Sequence, residues 1–162
     1  MKNVTRPDPK PSSIDPFFAL LPGALFRYRV LADGSDRIDD MSIGCFDIWE
    51  LNPADIEQGP SVLWNMIDAR DLPAMRESLA QSGRDLTDWI FQWRITTPSG
   101  RRKWLHGVGR PVRENKGGLL WHAFILDITD SPQAREAELA SERRFGALLD
   151  SIPNVSVQGY DD

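Results

Sequence analysis

The sequence contains few of the residues that support metal or redox chemistry. It has one cysteine, Cys45, and two histidines, His106 and His122, among 162 residues. One cysteine cannot form an internal disulfide, which fits a reducing compartment, and we expect a cytoplasmic location. Two histidines without Cys, Asp or Glu at ligand spacing make a poor metal site, so we predict no metal. No histidine lies near Cys45 to activate it, and we expect a small buried hydrophobe.

Long apolar runs and blocks of one charge are also missing. No stretch approaches the ~20 apolar residues of a membrane span, and the first residues lack the apolar centre of a signal peptide. Lys and Arg number 19 against 24 Asp and Glu, a net charge of −5. These features predict neither nucleic-acid binding nor membrane insertion. The basic cluster Arg101, Arg102 and Lys103 is expected at the solvated shoulder of a hairpin, or else as a contact patch for an acidic partner.

The chain begins with a segment that cannot build a packed element. Residues 1–13, MKNVTRPDPKPSS, contain three prolines among mostly polar residues, which predicts a disordered arm. We expect order to begin near Ile14. The segment SSIDPFFALLPG has a possible cap at Ser13 or Asp15 and ends at a Pro-Gly pair, which predicts a helix of one or two turns.

The remaining segments alternate between strand and helix patterns. ALFRYRVLA predicts a strand that ends at the turn DGSD. From Ser42 to about Arg84 the pattern is helical: IGCFDIWEL, NPADIEQG and PSVLWNMI are short, whereas DLPAMRESLAQSGR is fuller, with Asp71 as its predicted cap. Three strands follow, WIFQWRITT, KWLHGVGRPVR and LLWHAFILDIT, separated by the turns PSG and ENKGG.

Strand alternation divides the side chains of these three strands between two faces. The predicted core face comprises Trp89, Phe91, Trp93, Ile95, Leu105, Gly107, Gly109, Trp121, Ala123 and Ile125. Gly107 and Gly109 are expected to make room for Trp93 or Phe91 next door. His106 and His122 lie on the opposite face, where they could face each other across adjacent strands.

The last strand is apolar on both faces and needs a cover on each. The helices can cover one face. The other must be covered by the N-terminal helix, by a partner chain, or by both. We therefore predict a homodimer whose interface comprises Phe17, Phe18, His122, Phe124 and Leu126.

The order of these segments resembles the PAS sensor domain family, of the type called PAS fold-3. The matching parts are MSIGCFDIWELNPADI, MIDARDLPAM, WRITTPSGRRKWLHGVGRPVRENKGG and the closing DIT, and the resemblance covers roughly residues 14–130. It implies an α+β fold in which short helices pack on one face of a five-stranded antiparallel sheet. A linker helix is expected over residues 131–144, capped by Asp130 or Ser131 with Pro132 in its first turn.

The end of the chain repeats a pattern found near its beginning. FFALLPGALFRY and FGALLDSIPNVSVQGY each contain a short apolar helix, a Pro-containing break and a strand, about one domain length apart. Residues 145–162 therefore resemble the start of a second, truncated PAS domain. We expect this chain to be the N-terminal part of a multidomain bacterial signalling protein.

The resemblance implies a cavity between sheet and helices, which family members use for flavin, haem or small metabolites. Flavin photosensors of the family carry a cysteine on the helix that matches PSVLWNMI, and haem-binding members carry a histidine on the helix that matches DLPAMRESLAQSGR; both are absent here. Met75 is expected as a core residue rather than a haem ligand. We expect no cofactor, and either a filled pocket or one that holds a small apolar or aromatic ligand. The predicted pocket comprises Phe91, Trp93, Ile95, Leu105, Gly107, Ala123 and Ile125.

By this resemblance the chain is a non-catalytic sensory and dimerisation module. It would regulate downstream PAS and effector domains in the same chain, such as a histidine kinase or a cyclic-dinucleotide enzyme. Asp127 and Thr129 of the DIT segment are the expected signal-transfer residues. A ligand-free protein-interaction scaffold and an enzyme that uses the apolar cavity are the alternatives.

Overall fold

The computed structural model describes residues 22–151. The chain divides into two units, the first ending at Thr129 and the second beginning at Asp130. The predicted arm over residues 1–13, the N-terminal helix with Phe17 and Phe18, and the strand of the predicted second domain lie outside the described residues.

The first unit contains a five-stranded antiparallel sheet and short helices. In chain order the elements are β1 (Ala24–Val30), β2 (Asp36–Asp39), α1 (Cys45–Trp49), α2 (Pro53–Glu57), α3 (Ser61–Trp64), α4 (Leu72–Asp85), β3 (Trp89–Thr96), β4 (Arg102–Arg113) and β5 (Leu119–Asp127). The strand order across the sheet is β2-β1-β5-β4-β3. The predicted α+β fold is confirmed, and each predicted segment from ALFRYRVLA to LLWHAFILDIT forms the expected element.

Strand alternation decides which side chains enter the core. On β3, Trp93 is 3% exposed whereas Ile90 is 63% exposed. Trp93 pairs with Leu105 on β4, and Trp89 pairs with Gly109. The same face therefore carries a continuous apolar layer, on which the helices place Cys45, Ile48, Trp49, Ile56 and Met75.

Gly107 lies where two tryptophans cross β4. A Cβ at this position would lie 2.6 Å from Cζ3 of Trp89 and 2.8 Å from Cζ3 of Trp93, closer than carbon atoms approach in packed cores. The prediction that a strand glycine makes room for a large neighbour is right for Trp93. Trp89 occupies the place that was expected for Phe91.

The start of α4 differs from its prediction. Asp71 makes no side-chain capping bond to α4. Its carboxylate instead accepts from Arg94, at 2.9 Å from the backbone N–H, 2.9 Å from Nε and 2.7 Å from Nη2. Asp71 holds the N-cap position, as predicted, but its side chain does not cap the helix because both of its carboxylate oxygens bind the Arg94 guanidinium in a bidentate pair. The interaction ties the start of α4 to β3.

The second unit contains α5, which runs from Pro132 to Ser151. Ser131 Oγ accepts from the backbone N–H of Ala134 at 3.1 Å, so Ser131 is the cap, one of the two predicted residues. The helix continues past residue 144, where the linker was predicted to end. Within residues 22–151, no helix is both long enough and apolar enough to cross a membrane.

Candidate functional site

A small apolar cavity of about 70 Å³ lies between the sheet and the helices α1, α3 and α4. Ligand pockets usually measure ~300–1,000 Å³, so this space is filled largely by the protein's own side chains. It has room for a molecule of only a few heavy atoms. Its lining comprises Phe26, Tyr28, Ile38, Trp49, Pro60, Leu63, Trp64, Ile67, Met75, Leu79, Trp89, Trp93, Trp121, Ala123 and Ile125.

The structure places the predicted pocket residues in two groups. Trp93, Ala123 and Ile125 line the cavity. The other four lie on the same face of the sheet but outside that lining: Ile95 and Leu105 are fully buried, Phe91 is half-buried, and Gly107 lies beneath the tryptophan rings. The lining residues of α1 and α3 were missed, because these helices have only five and four residues and are too short to show a periodic pattern.

Aromatic rings account for the small volume of the cavity. The ring centroids of Trp89 and Trp93 are 5.7 Å apart, and those of Trp89 and Phe91 are 6.4 Å apart. On the other side, Phe26 and Trp49 meet edge to face with centroids 6.2 Å apart. Trp89 Nε1 is buried without a hydrogen-bond partner among residues 22–151. Trp89, which lines the cavity, therefore carries a buried hydrogen-bond donor without a partner.

A hydrogen-bonded cluster at Asp36 joins α3 to the sheet. Asp36 Oδ2 accepts from the hydroxyl of Tyr28 at 3.0 Å and from Nε1 of Trp64 at 2.9 Å. The guanidinium of Arg76 lies 5.0 Å from the centre of the Trp64 ring. Burial, and then the charge of Asp36, raise the pKa of Tyr28 far above its ordinary value. The cluster therefore fixes two cavity-lining aromatic residues through one carboxylate.

Cys45 has the character of a buried hydrophobe. It is fully buried, and its Sγ lies 3.4 Å from the carbonyl oxygen of Leu51, to which the thiol donates. Burial, and then the charges of Glu57 and Asp47, raise the pKa of the Cys45 thiol to about 12. A thiol that stays protonated near neutral pH is not a nucleophile.

The two histidines lie on the outer face of the sheet but do not face each other. His106 pairs with Leu126, and its Nδ1 lies 3.2 Å from Nε2 of Gln92. His122 pairs with Arg110 on one side and Arg27 on the other. The expected pairing is wrong because the β4–β5 register separates the histidines along the strands. No group of three potential metal ligands occurs within the part of the chain that the structure describes.

The DIT segment is hydrogen-bonded to the neighbouring strand. Asp127 Oδ1 accepts from the backbone N–H of Thr129 at 3.0 Å and also from the Thr129 hydroxyl. Thr129 Oγ1 in turn accepts from the backbone N–H of Trp104 at 3.1 Å. The backbone N–H of Ile128 donates to the carbonyl oxygen of Trp104 at 2.9 Å. Side chains therefore extend the pairing of β5 with β4 beyond the last residue of β5.

The basic cluster divides between two environments. Arg101 and Arg102 are exposed, as expected of a solvated hairpin shoulder, but Lys103 is only 6% exposed. The prediction is wrong for Lys103, because strand alternation turns it to the same face as Leu105. Its Nζ donates to the carbonyl oxygens of Asp47 at 2.6 Å and Ile48 at 3.0 Å. Extending the alternation by two residues would have revealed this.

The outer face of the sheet carries an apolar row across four strands. Leu25 pairs with Phe124, Phe124 with Val108, and Val108 with Ile90. Val108 is 37% exposed and Ile90 63% exposed, above an open hollow of about 800 Å³. Of the predicted interface, exposed His122 and half-buried Phe124 and Leu126 lie on this face. Phe17 and Phe18 are outside the described residues.

Comparison with known proteins gives matches among solved structures. No family model matches the sequence, and no curated protein matches it. A domain of a Haloarcula marismortui histidine kinase, described as light and redox sensing, superposes with a TM-score of 0.57 at 20% identity, covering 70% of this chain and 95% of that one. The PAS domain of a protein from Colwellia psychrerythraea gives 0.55 at 16% identity, covering 70% and 92%.

A third similar structure is the N-terminal domain of a diguanylate cyclase with PAS/PAC sensor from Marinobacter aquaeolei. It superposes with a TM-score of 0.52 at 12% identity, covering 65% of this chain and 95% of that one. At these identities the likeness shows the fold. The sheet order, the short helices and the cavity beneath them are those of the PAS fold.

Proposed function

We propose that this domain is a non-catalytic sensory module that regulates an output domain in the same chain. The observation that carries the proposal is the strand end, where Asp127 and Thr129 fasten the last residues of β5 to Trp104 on β4. The chain passes from this point directly to Ser131, the cap of α5. A change in the sheet would therefore alter the position from which α5 begins.

The class of the output domain is inferred from relatives of the same fold. Similar structures come from a histidine kinase and from a diguanylate cyclase, which favours an output of one of these kinds. The repeated apolar pattern at residues 145–162 favours a further PAS domain between the two. The single cysteine favours a reducing compartment such as the cytoplasm.

The stimulus acts in the cavity or on the surface. The free Trp89 Nε1 donor favours a small, mainly apolar ligand with one hydrogen-bond acceptor, if a ligand is bound. Native mass spectrometry of the purified protein would detect such a molecule as a discrete mass above that of the polypeptide. A clean polypeptide mass would favour a filled cavity and a surface stimulus.

The regulatory role is tested by Asp127→Ala and Thr129→Ala in the full-length protein. Each variant should stay folded, with a loss of ~1 kcal/mol for a hydrogen bond, yet should alter the activity of the output domain or its response to stimulus. Thr96→Ala, which removes an exposed threonine of β3, is the matched control and should leave both unchanged. Unaltered output activity in both DIT variants would contradict the regulatory role.

We also propose that the outer face of the sheet forms a homodimer. The apolar row from Leu25 to Ile90 lies on this face and crosses four strands. In the neighbouring row, His122 on β5 pairs with Arg27 on β1 and with Arg110 on β4. A second copy presents the same apolar surface, which a symmetric pairing would bury. We expect a contact of micromolar strength.

Sedimentation at ~100 μM tests this dimer, because a micromolar contact corresponds to ~8 kcal/mol and would be occupied at that concentration. Val108→Glu should give a monomer, whereas Leu31→Glu, which alters an exposed leucine in the turn after β1, should not change the mass. A monomeric wild type would contradict the proposal. In that case the apolar row favours the second candidate, a scaffold that binds a different apolar protein partner.

A further inference from the structure

Lys103 occupies a position between a cavity-lining helix and the strand end. Its Nζ donates to the carbonyl oxygens of Asp47 at 2.6 Å and Ile48 at 3.0 Å, which belong to the last turn of α1. The same Nζ lies 3.5 Å from Oδ2 of Asp127. A single buried ammonium group thus contacts α1 and β5, two elements far apart in sequence.

The α1 end of this contact is part of the cavity wall. Trp49 follows Ile48 directly, is 3% exposed and lines the cavity. Helix carbonyls at a C-terminus lack intrahelical partners and carry partial negative charge, so a cation there is both a hydrogen-bond donor and a favourable charge. A displacement of Trp49 would move the two carbonyl oxygens that hold Lys103.

The β5 end of this contact is the first residue of the DIT segment. Asp127 uses Oδ2 for Lys103 and Oδ1 for the backbone N–H of Thr129, at 3.0 Å. Thr129 then accepts from the backbone N–H of Trp104. One carboxylate oxygen therefore contacts Lys103 and the other accepts both hydrogen bonds from Thr129, so a movement of Lys103 would change the orientation of the carboxylate that holds Thr129.

The last turn of α1 is held from a second side. Glu50 ends α1 in the left-handed conformation, φ 59°, and accepts from the backbone N–H of Ser99 at 3.0 Å and the hydroxyl of Thr97 at 2.9 Å. Burial alone would raise the pKa of Glu50, but the bonds from Ser99 and Thr97 and the charge of Lys103 hold it below its ordinary value. The end of α1 is thus fixed to the β3–β4 turn. A movement of α1 would therefore involve this turn as well, rather than α1 alone.

We propose that Lys103 is a positioning residue that couples the α1 wall of the cavity to the strand end at Asp127 and Thr129. This inference rests on the proposed sensory function, since it names the route from cavity to junction. Lys103 acts through Asp127 and need not touch a ligand. The coupling operates whether the cavity is perturbed by a bound molecule or by a change in its own side chains.

The test uses a small change in α1 as the perturbation, so that no ligand is required. Trp49→Phe alters the cavity wall, and two-dimensional ¹H–¹⁵N NMR reports the amide resonances of Thr129 and Trp104. In the wild-type background Trp49→Phe should shift both resonances. In the Lys103→Met background, which keeps the length of the side chain without its charge, less than half of the shift should remain.

Met75→Leu is the matched control, because Met75 lines the same cavity from α4. Any shift that it causes at Thr129 should be the same in the wild-type and the Lys103→Met backgrounds. If Lys103→Met does not fold, Asp127→Asn severs the same link from its other end while Oδ1 can still accept from Thr129. It should produce the same loss of the Trp49→Phe shift.

The possible outcomes distinguish a failure of the role of Lys103 from a failure of the cavity-to-junction signal. An equal Thr129 shift from Trp49→Phe in both backgrounds would overturn the role of Lys103 and leave the sensory function standing. If Met75→Leu but not Trp49→Phe shifted the Thr129 resonance in the wild type, the role of Lys103 would also be overturned and the sensory function would stand. If neither change in the cavity shifts Thr129, the cavity does not communicate with the strand end, and the role of Lys103 falls together with the proposed cavity-to-junction signal.

Discussion

Replacing Gly107 by alanine tests the packing of the tryptophans against the sheet. The added methyl group would lie 2.6 Å and 2.7 Å from Cζ3 and Cη2 of Trp89, and 2.8 Å from Cζ3 of Trp93. Both rings are at most 5% exposed, and their centroids are 5.7 Å apart. Neither ring can move away from the methyl group without displacing the other, so the strain cannot be relieved locally.

The size of the effect follows from two opposing terms. Inserting a methyl group into a packed core costs ~1–3 kcal/mol, and contact with two rigid rings places this site at about 3 kcal/mol. Replacing glycine by alanine within a strand returns ~0.5–1 kcal/mol, because the unfolded chain loses conformational freedom. The free energy of unfolding should therefore fall by about 2 kcal/mol, which lowers the melting temperature by roughly 10 °C for a domain of about this size.

Gly109→Ala is the matched control on the same strand and the same face. Its nearest neighbours, Cδ1 of Trp121 and Cε3 of Trp89, would lie 3.5 Å from the new methyl group, an ordinary contact. This variant should be as stable as the wild type or slightly more stable. Urea unfolding followed by circular dichroism measures both, since tryptophan fluorescence would itself respond to the moved rings.

A double-mutant cycle separates ring contact from a general intolerance of β4. Trp89→Phe removes the two ring atoms nearest to the new methyl group, so the loss caused by Gly107→Ala should be smaller in that background. Equal losses for Gly107→Ala and Gly109→Ala would refute the reasoning. So would strict additivity of Gly107→Ala with Trp89→Phe.

Two further predictions concern stability and its dependence on pH. Trp93→Ala should cost ~3–5 kcal/mol in the free energy of unfolding, whereas Ile90→Ala on the exposed face should cost less than ~1 kcal/mol; similar losses would mean that the assigned strand faces are reversed. Hydrogen bonds from Arg70 hold the pKa of Asp68 far below its ordinary value. The contribution of this carboxylate to stability is therefore present above the unfolded-state pKa of ~4 and is lost as the pH falls further. Asp68→Asn should destabilise near neutral pH and differ less from the wild type below about pH 3 in urea unfolding; an equal difference at both would contradict this.

Elements with a strong local pattern could be predicted from the sequence. The alternation in β3 to β5 spans whole strands, and turn residues such as Gly100 and Gly117, with φ near 86°, mark their ends. Core positions such as Trp93 and Leu105 follow directly from that alternation. The order of the segments, rather than any one motif, indicated the PAS fold.

Interactions between distant segments could not be predicted in this way. Asp71 has the sequence context of a helix cap, but its carboxylate binds Arg94. Arg94 lies on β3 and meets the start of α4 only in the folded chain. The alternation of β4 assigns Lys103 to the core face, but it does not indicate the carbonyl oxygens of α1 to which Lys103 donates. A buried polar group lies where its hydrogen-bond partners are, and partners from distant segments are known only once the chain is folded.

The cluster at Asp36 has an optical consequence. Tyr28 on β1 and Trp64 on α3 donate to the same oxygen atom of Asp36. Any movement of α3 away from the sheet would break the Trp64 bond and leave the carboxylate to Tyr28 and to solvent, so the emission of Trp64 and the near-ultraviolet absorption of Tyr28 would change together. The protein thus contains its own paired chromophores for following the opening of the cavity wall in real time, without an added label.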